Sequence, residues 1–338
     1  MKIKAWCFNP HPTSSTKLAS AQTSIRATAH PNIALVKYWG KQNAATNLPA
    51  VPSLSITLDT LQAHTQVSES TKDSFVLNGV EHTDEQQDLK LSQFLSHVRA
   101  HHSVPPLRIE SSNNFPTAAG LASSAAGFAA LVTALNEFCQ LGLSAAQKSS
   151  LARVGSASAA RSVFGGFVGL TEPQFEAQQI AEASHWPLKI VVAITDTNKK
   201  PVSSTNGMAI SASTSPFYQN WLDTAQSDYD HALTAIRDRD FAKLAEVSEH
   251  SCLKMHAVMQ SSKPSLLYWN AASVACMHAI TNLRQTGEDV FFTIDAGPQI
   301  KAICTQQSVA QVEATLTAIP GVVRTEQVAL GGAAQLTD

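Results

Sequence analysis

The stretch that most restricts how this chain can fold is residues 113–127, NNFPTAAGLASSAAG. Two asparagines and a proline are followed by a run of Gly, Ala and Ser that leads into an apolar helix. Small side chains let backbone N–H groups approach a ligand, and a helix beginning beneath them adds a positive dipole end. The pattern predicts an anion site, most often for phosphate, where Ser123 and Ser124 contact a phosphate oxygen or magnesium. The alternative is a tight turn before an Ala-rich helix packed closely on a sheet.

Length and composition indicate an ordinary globular chain. The 338 residues predict two domains or one large one, and 44% apolar residues are enough for a core. A formal net charge of −2 favours neither nucleic acid nor an anionic membrane as a partner. No apolar run approaches the roughly 18 residues that would indicate a membrane span. The five cysteines contain no C-x-x-C pair, so we expect a reducing, cytoplasmic compartment without a zinc site or a disulfide framework.

The first 24 residues are predicted to be a flexible extension, since they lack the apolar segment of a signal peptide. We expect an N-terminal domain over residues 25–187 and a C-terminal domain over residues 188–338. In the first half, alternating and apolar segments predict strands and helices. Strands are expected at 25–29, 54–58, 61–67, 75–77 and 107–110, a hairpin turn at Asn78-Gly79, and helices at 88–98, after Ser124, and after a capping box at Ser144.

The second half begins with an apolar strand predicted at 188–195, followed by a polar loop at 196–208. Further strands are expected at 290–294, 300–304 and 322–328, and helices at 216–230, 231–239, 241–259, 265–285 and 309–318. This order predicts an antiparallel sheet with helices on one face, so the fold class is α+β.

Two further segments carry cations or hydroxyls that suit an anionic ligand. Residues 30–41 read HPNIALVKYWGK, in which Lys37 and Lys41 can bind an anion or lie in a solvated turn. Residues 155–167 read GSASAARSVFGGF, and Ser158 and Arg161 can share one face of a helix. Because Arg presents a fixed fork of donors, this segment is a second candidate anion site. The alternative is helix packing through small residues, with Arg161 in solvent.

Asp295 is a candidate catalytic carboxylate because it follows a predicted strand and precedes Ala-Gly-Pro, where little bulk surrounds it. The alternative is structural, since turn aspartates often bond their own backbone. The histidines lack metal-ligand spacing, and we interpret them as surface or satisfied core residues. No Cys/His/Asp pattern in the sequence indicates a metalloenzyme.

Together these segments resemble the GHMP kinase superfamily and, within it, the diphosphomevalonate decarboxylase family. The resemblance runs from about residue 25 to the C-terminus. It implies a two-domain α+β fold, with an N-terminal domain like the second domain of ribosomal protein S5 and a ferredoxin-like C-terminal domain. The segments that carry it are residues 30–41, 113–127, 155–167, VSSTNGM at 202–208 and FFTIDAGP at 291–298.

The resemblance implies an enzyme of the mevalonate pathway to isoprenoids. The implied reaction converts (R)-5-diphosphomevalonate and ATP into isopentenyl diphosphate, ADP, phosphate and carbon dioxide. ATP is then the co-substrate, Mg²⁺ the metal ion and a homodimer the expected assembly, with no nucleic-acid or membrane partner. Phosphorylation of the tertiary alcohol makes it a leaving group, and its loss drives decarboxylation.

The resemblance also implies roles for individual residues. Asp295 would lie beside the reacting hydroxyl as base or orienter, Lys37 near the reacting groups, and Arg161 on the substrate carboxylate. The substrate diphosphate would be bound by Tyr38, Lys41, Ser156 and Ser158. The ATP-binding residues would be Asn114, Pro116, Ala119, Gly120, Leu121, Ala122, Ser123 and Ser124, with Ser124 also on Mg²⁺.

Several residues depart from the family pattern, and these departures bear on whether the substrate carries one phosphate or two. Phosphomevalonate as the substrate is therefore one alternative, and a mevalonate-type kinase without decarboxylation is a second. A third is a non-catalytic nucleotide-binding protein on the same scaffold. The departures are Val51-Pro52-Ser53 where Asn-Ser-Ser is frequent, Ala157 where glycine is usual, Gln299 where asparagine is common, and Thr205 where some members carry arginine.

Overall fold

The computed structural model of the chain describes residues 24–81, 85–115, 123–198 and 200–338. The predicted N-terminal extension lies outside these residues, except for Ser24. No helix within the described ranges is long and apolar enough to cross a membrane.

The N-terminal half contains two main sheets, with strand orders β16-β1-β6-β9-β7-β8 and β11-β10-β5-β2. Its strands are β1 Ser24–Ala29, β2 Asn32–Val36, β3 Lys41–Asn43, β4 Leu48–Pro49, β5 Ser53–Thr57, β6 Ala63–Glu69, β7 Ser74–Leu77, β8 Val80–Glu81, β9 Leu107–Asn113, β10 Phe167–Thr171 and β11 Glu176–Ala181. Its helices are α1 Glu85–Arg99, α2 Ser123–Phe138, α3 Ala145–Gly155 and α4 Ala159–Ser162. The predicted hairpin forms where Asn78 and Gly79 both adopt positive φ, and Ser144 forms the predicted capping box.

Helix α2 is buried more completely than the sequence predicts. Ala125, Phe128, Ala129, Val132 and Leu135 share one helical face, which predicts burial along one side, yet residues from Ala129 to Leu135 are all buried. The helix lies between β1 and β6 on one side and helices α3 and α4 on the other, so several of its faces lose contact with water. Its alanines permit this close packing on both sides.

The C-terminal half is built on an antiparallel sheet with strand order β13-β14-β12-β15. Its strands are β12 Lys189–Ile194, β13 Val290–Thr293, β14 Ile300–Cys304, β15 Arg324–Ala329 and β16 Gln335–Thr337, the last of which joins the N-terminal sheet. Its helices are α5 Ser204–Thr214, α6 Tyr218–Asp238, α7 Phe241–Gln260, α8 Ala271–Gln285 and α9 Val309–Thr317.

The two faces of β12 pack into different cores, which corrects the expectation of helices on one face. Val191 and Ala193 pack in a cluster with α8 and α9. Ile190, Val192 and Ile194 pack in a cluster with α6, α7 and β5 of the N-terminal half. Apolar side chains at alternate positions therefore bury both faces of this strand. The core is continuous between the halves, and their division at residues 187 and 188 stays a prediction.

Three helix predictions for this half are wrong in detail. Residues 218–238 form one helix, α6, where two were predicted, and its C-cap is Arg239 in the left-handed region. Helix α5 begins inside the predicted polar loop, because Ser203 caps it by accepting from the Asn206 N–H. Helix α8 begins at Ala271 and not at residue 265, because Asn270 and Ser273 form its capping box.

At Gly331 the C-terminal segment contacts the N-terminal sheet that contains β5 and β10, before β16 pairs with β1. Gly331 donates its N–H to the Thr57 carbonyl at 2.8 Å and accepts from the Gly166 N–H at 2.9 Å. A Cβ at Gly331 would lie 1.9 Å from the Leu58 carbonyl oxygen, whereas one at Gly332 would meet no atom within 4 Å. The two neighbouring glycines therefore have different packing requirements.

We expect Gly331→Ala to lower the free energy of unfolding by about 1–3 kcal/mol, because the backbone must move to accept the methyl group. Urea unfolding followed by circular dichroism measures the change. Gly332→Ala is the matched control and should leave stability nearly unchanged. Equal stabilities of the two variants would contradict the close approach at Gly331.

Candidate active site

A cleft with a volume of about 370 Å³ lies between the two halves of the chain. One wall comes from the end of β2, the start of α2 and the segment that leads into α4. The other comes from the residues around the start of α5 and from Asp295 and Ala296 after β13. The cleft brings together nine predicted site residues from distant parts of the sequence: Lys37, Tyr38, Lys41, Ser123, Ser124, Ser156, Ser158, Arg161 and Asp295.

Asp295 lies between two buried lysines. The Nζ of Lys37 donates to its Oδ1 at 2.7 Å, and the Nζ of Lys301 lies 3.2 Å from its Oδ2. Lys37 also donates to the Ala34 carbonyl at 2.9 Å. Both lysine side chains are 1% exposed, whereas Asp295 is 26% exposed and lines the cleft. Its carboxylate is thus held by long-range partners and not by its own turn.

The charges around Asp295 keep it ionised. Burial raises the pKa of the carboxyl group, but the ammonium groups of Lys301 and Lys37 outweigh this and hold the pKa well below its ordinary value. Burial lowers the pKa of Lys301, while the Asp295 carboxylate opposes that change. The cleft therefore presents a permanent carboxylate, paired with ammonium ions, at any pH near neutrality.

Arg161 is buried at 2% exposure, so the alternative that placed it in solvent is wrong. Its Nε donates to Ser55 Oγ at 3.0 Å, Nη1 to Ser53 Oγ at 2.7 Å and Nη2 to Asn32 Oδ1 at 3.1 Å. Among the described residues, it forms no ion pair with a carboxylate. Burial lowers the pKa of Arg161 to about 10, and Asp295 and Tyr38 oppose this effect. The guanidinium remains charged at neutral pH and faces a cleft that can admit an anion.

Tyr38 and Trp39 line the cleft, and each carries a buried polar group without a partner among the described residues. The Tyr38 hydroxyl and the Trp39 indole N–H are both buried, and neither has a hydrogen-bond partner among the described residues. Burial raises the pKa of Tyr38 well above its ordinary value, so the hydroxyl keeps its proton. Buried donors without partners are costly, and no described residue offsets this cost for either group.

A row of hydroxyl groups joins the predicted nucleotide loop to the predicted diphosphate site. Ser124 Oγ lies 3.2 Å from Ser156 Oγ, which lies 3.3 Å from Ser158 Oγ. All three serines line the cleft, as does Ser123. Opposite them, Lys41 Nζ lies 3.4 Å from Thr205 Oγ1, and burial lowers the pKa of this lysine.

The predicted ATP-binding residues divide into three groups, of which Ser123 and Ser124 line the cleft. Pro116, Ala119, Gly120, Leu121 and Ala122 lie outside the described residues. Asn114 is exposed, and its side chain accepts from the Gln62 N–H and donates to the Thr60 carbonyl, both at 2.8 Å. Asn114 therefore supports the loop before β6 and does not line the described cleft. Its nucleotide contact stays a prediction.

Sequence reasoning missed Lys200 and Lys301. Lys200 lines the cleft and donates to Ser204 Oγ at 2.7 Å and to the Ala296 carbonyl at 2.9 Å. Burial lowers its pKa to about 8, and Asp295 partly opposes this. The available signal for Lys301 was a lysine inside the apolar strand IKAIC, since lysines are rarely buried without a charged partner.

Two departures from the family pattern have identifiable structural surroundings. Gln299 is buried, accepts from the Thr195 N–H at 2.7 Å and donates to the Asp196 carbonyl. It therefore ties the turn after Asp295 to the end of β12. Thr205 faces Lys41 across the cleft. Neither contact involves the Arg161 or Asp295 side chains.

Comparison with known proteins covers both halves of the chain. Residues 29–181 match the model of the diphosphomevalonate decarboxylase-like N-terminal domain. Residues 190–334 match that of the mevalonate 5-diphosphate decarboxylase C-terminal domain. The chain belongs to the diphosphomevalonate decarboxylase family. The family resemblance inferred from the sequence motifs is therefore confirmed.

Individual relatives and solved structures agree with this family membership. Diphosphomevalonate decarboxylase of Aspergillus fumigatus is 38% identical over 337 residues, covering 89% of this chain and 82% of the relative. The Saccharomyces cerevisiae enzyme is 37% identical, covering 80% and 75%.

A mevalonate diphosphate decarboxylase structure from Staphylococcus aureus matches with a TM-score of 0.87 at 34% identity, covering 94% of this chain and 98% of that one. One from Enterococcus faecalis matches with a TM-score of 0.85 at 36% identity, covering 94% and 99%. The predicted two-domain α+β fold of the GHMP kinase type is confirmed by these matches.

Proposed function

We propose that this chain catalyses the ATP-dependent decarboxylation of (R)-5-diphosphomevalonate to isopentenyl diphosphate in the mevalonate pathway. The observation that carries the proposal is the buried Arg161 guanidinium, which has hydroxyl and amide partners and faces a cleft that also holds Asp295 and Lys37. A related structure with a TM-score of 0.86 at 36% identity is described as a complex with MVAPP, AMPPCP and magnesium. These ligands suit the anion-binding groups of the cleft.

The first step transfers a phosphoryl group from ATP to the tertiary hydroxyl of the substrate. Asp295 accepts a hydrogen bond from this hydroxyl and orients its oxygen toward the γ-phosphate. Because two ammonium ions keep the carboxylate ionised, it serves as an orienter over the whole neutral range. The same charges make it a weak base, so it accepts the hydroxyl proton only as the new P–O bond forms. Lys37 supplies a fixed positive charge where negative charge develops.

The second step breaks the C–O bond to the new phosphate, which leaves with the electron pair. The C–C bond to the carboxylate then breaks, and its electrons form the alkene as carbon dioxide departs. Arg161 holds the carboxylate through its planar fork and keeps it aligned until it is released. Positioning and charge neutralisation therefore account for most of the expected rate enhancement.

The remaining contacts hold the phosphates. Lys41 and the hydroxyls of Tyr38, Ser156 and Ser158 bind the substrate diphosphate. Ser123 and the glycine-containing loop over residues 116–122 bind the ATP phosphates. The donors near Ser124 are hydroxyl oxygens, which suit Mg²⁺, and the described residues contain no group of three Asp, Glu, His or Cys that could hold a metal by themselves. Ser124 would hold one position of an ion bound mainly by phosphates, and that ion would neutralise phosphate charge.

A paired product assay tests this function. Purified protein receives ATP, Mg²⁺ and carboxyl-labelled substrate, with diphosphomevalonate and phosphomevalonate compared in parallel. Equal amounts of ADP and carbon dioxide from the diphosphate are expected. The same result only with the monophosphate identifies a phosphomevalonate decarboxylase, and ADP without carbon dioxide identifies a kinase. Neither product from either substrate would contradict the proposal.

Loss of the Lys200 charge is expected to weaken the capture of substrate at alkaline pH. Its pKa of about 8 means that the ammonium is present below that pH and is lost above it. We therefore expect kcat/KM for diphosphomevalonate to fall as pH rises through about 8. Lys200→Arg should move this alkaline limb to higher pH, since a guanidinium stays charged. An unchanged alkaline limb in Lys200→Arg would show that a group other than Lys200 causes the fall in kcat/KM.

The assembly and the compartment are two further parts of the proposal. We propose a homodimer, because the resemblance to the family implies one. A cytoplasmic location is proposed because the four cysteines among the described residues are unpaired. Size-exclusion chromatography with light scattering measures the assembly, and a monomer at working concentration would contradict the first proposal.

A further inference from the structure

The two oxygens of Asp295 are held by lysines from different parts of the fold. Lys37 follows β2 and contacts Oδ1, while Lys301 lies within β14 and contacts Oδ2. Lys37 lines the cleft, but Lys301 is not among the described residues that line it. The described contact through which Lys301 can act on a bound substrate is therefore its ion pair with Asp295.

We propose that Lys301 is a positioning residue, which fixes the Asp295 carboxylate from behind so that Oδ1 remains directed toward Lys37 and the cleft. This inference deepens the proposed decarboxylase function and rests on it. Lys37 and Lys301 would then have separate tasks. Lys37 faces the reacting groups, whereas Lys301 sets the orientation and charge of their carboxylate partner.

Burying the Lys301 ammonium group within β14 carries a desolvation penalty, which argues against a purely structural role. β14 lies between β13 and β12, and Lys301 is paired in register with Val192 and Thr293. Its strand neighbours Ile300 and Ala302 are fully buried. An apolar side chain of similar volume would avoid desolvating an ammonium group, and such replacements of buried ion pairs are often neutral or stabilising. A charge retained here is better explained by its effect on Asp295.

Other charged or titratable groups face Asp295 from every element packed against it. They are Lys37 after β2, Arg161 on α4, Lys200 before α5, Lys301 on β14, and Cys252 and His256 on α7. Burial lowers the pKa of His256 to about 3 and raises that of Cys252, so both are neutral at neutral pH. Among these groups, Lys37 and Lys301 form direct ion pairs with the carboxylate. Burial raises the pKa of Asp295, and removing the Lys301 ammonium group would leave fewer positive charges to oppose that rise.

The test compares the wild type with Lys301→Met. We expect the pKa of Asp295 to rise in the variant by roughly 1–3 pH units, the usual effect of one neighbouring cation. The acidic limb of kcat/KM should move to higher pH by a similar amount, with ATP binding unchanged. Since substrate ionisation is the same for both proteins, the difference between their profiles isolates the enzyme group.

Two further variants separate positioning from folding. Lys301→Arg keeps the charge and should restore the wild-type pH profile, even if its maximal rate is lower. Lys189→Met removes a lysine from β12 of the same sheet, where it is paired in register with Cys304 and Ala329, and should leave the profile unchanged. Superimposable profiles for wild type and Lys301→Met would show that Lys301 only supports the fold, and the proposal would fail.

A direct measurement on the wild type covers the case in which Lys301→Met does not fold. Carboxyl-¹³C-labelled aspartate is incorporated, and the Asp295 resonance is assigned by its loss in Asp295→Asn. We expect no titration of this resonance in the ordinary carboxyl range near pH 4. A normal titration there would overturn the proposal. Because this result needs no turnover, it is independent of whether the proposed decarboxylase activity is found.

Discussion

Asp295→Asn is expected to lower kcat for the proposed decarboxylation by roughly 10²–10⁴-fold, the usual weight of a positioned acid–base group. The amide can still accept one hydrogen bond, but it cannot carry the negative charge that Lys37 and Lys301 surround. The substrate hydroxyl would then meet a group that neither orients nor deprotonates it. ADP formation and carbon dioxide release, measured together at saturating substrate, give the change.

The matched control is Asp289→Asn, an exposed aspartate that directly precedes β13, whereas Asp295 follows it. It should leave kcat unchanged. Calorimetric titration with ATP and Mg²⁺ should give nearly equal affinities for the wild type and both variants, since Asp295 is not part of the predicted nucleotide loop. Wild-type turnover by Asp295→Asn would remove the carboxylate from the mechanism, and a large loss of ATP affinity would indicate a wider structural effect.

Secondary structure was predictable wherever one local signal determined it. The capping box at Ser144 and the turn at Asn78-Gly79 each depend on residues that lie within a few positions of each other. The helix over residues 218–238 was divided wrongly because its continuation past Asp230 depends on packing against α7. The burial of α2 on several sides likewise depends on helices and strands distant in sequence.

The candidate site was predictable as a set of residues but not as an arrangement. Motifs singled out Lys37, Arg161 and Asp295, yet Lys37 and Asp295 are 258 positions apart and their contact follows from the fold alone. Lys301 belongs to no motif, and its ion pair with Asp295 accounts for an ammonium group inside a strand. The interpretation of Asp295 as a turn residue was reasonable locally, because its backbone does form the turn by accepting from the Gly297 N–H.

Arg161→Met is expected to reduce kcat/KM for diphosphomevalonate by roughly one to four powers of ten. This corresponds to a loss of roughly 2–5 kcal/mol of transition-state stabilisation, because a buried charge partner of the substrate carboxylate is lost. ATP binding should persist, since Arg161 bonds Ser53, Ser55 and Asn32 and lies outside the predicted nucleotide loop. Steady-state kinetics with each substrate varied in turn separates the two effects.

Arg161→Met should change stability much less than activity. The guanidinium of Arg161 is buried without a carboxylate partner among the described residues, so an apolar chain removes a desolvation cost, but Ser53, Ser55 and Asn32 lose its three hydrogen bonds, and Tm should change little. Arg99→Met provides the reverse case, because Arg99 pairs with Asp73 through two hydrogen bonds on the surface of the N-terminal half. That variant should lose some stability and keep kcat/KM. If Arg161→Met instead lost stability and kept kcat/KM, Arg161 would be a structural residue and the carboxylate clamp would have to lie elsewhere in the cleft.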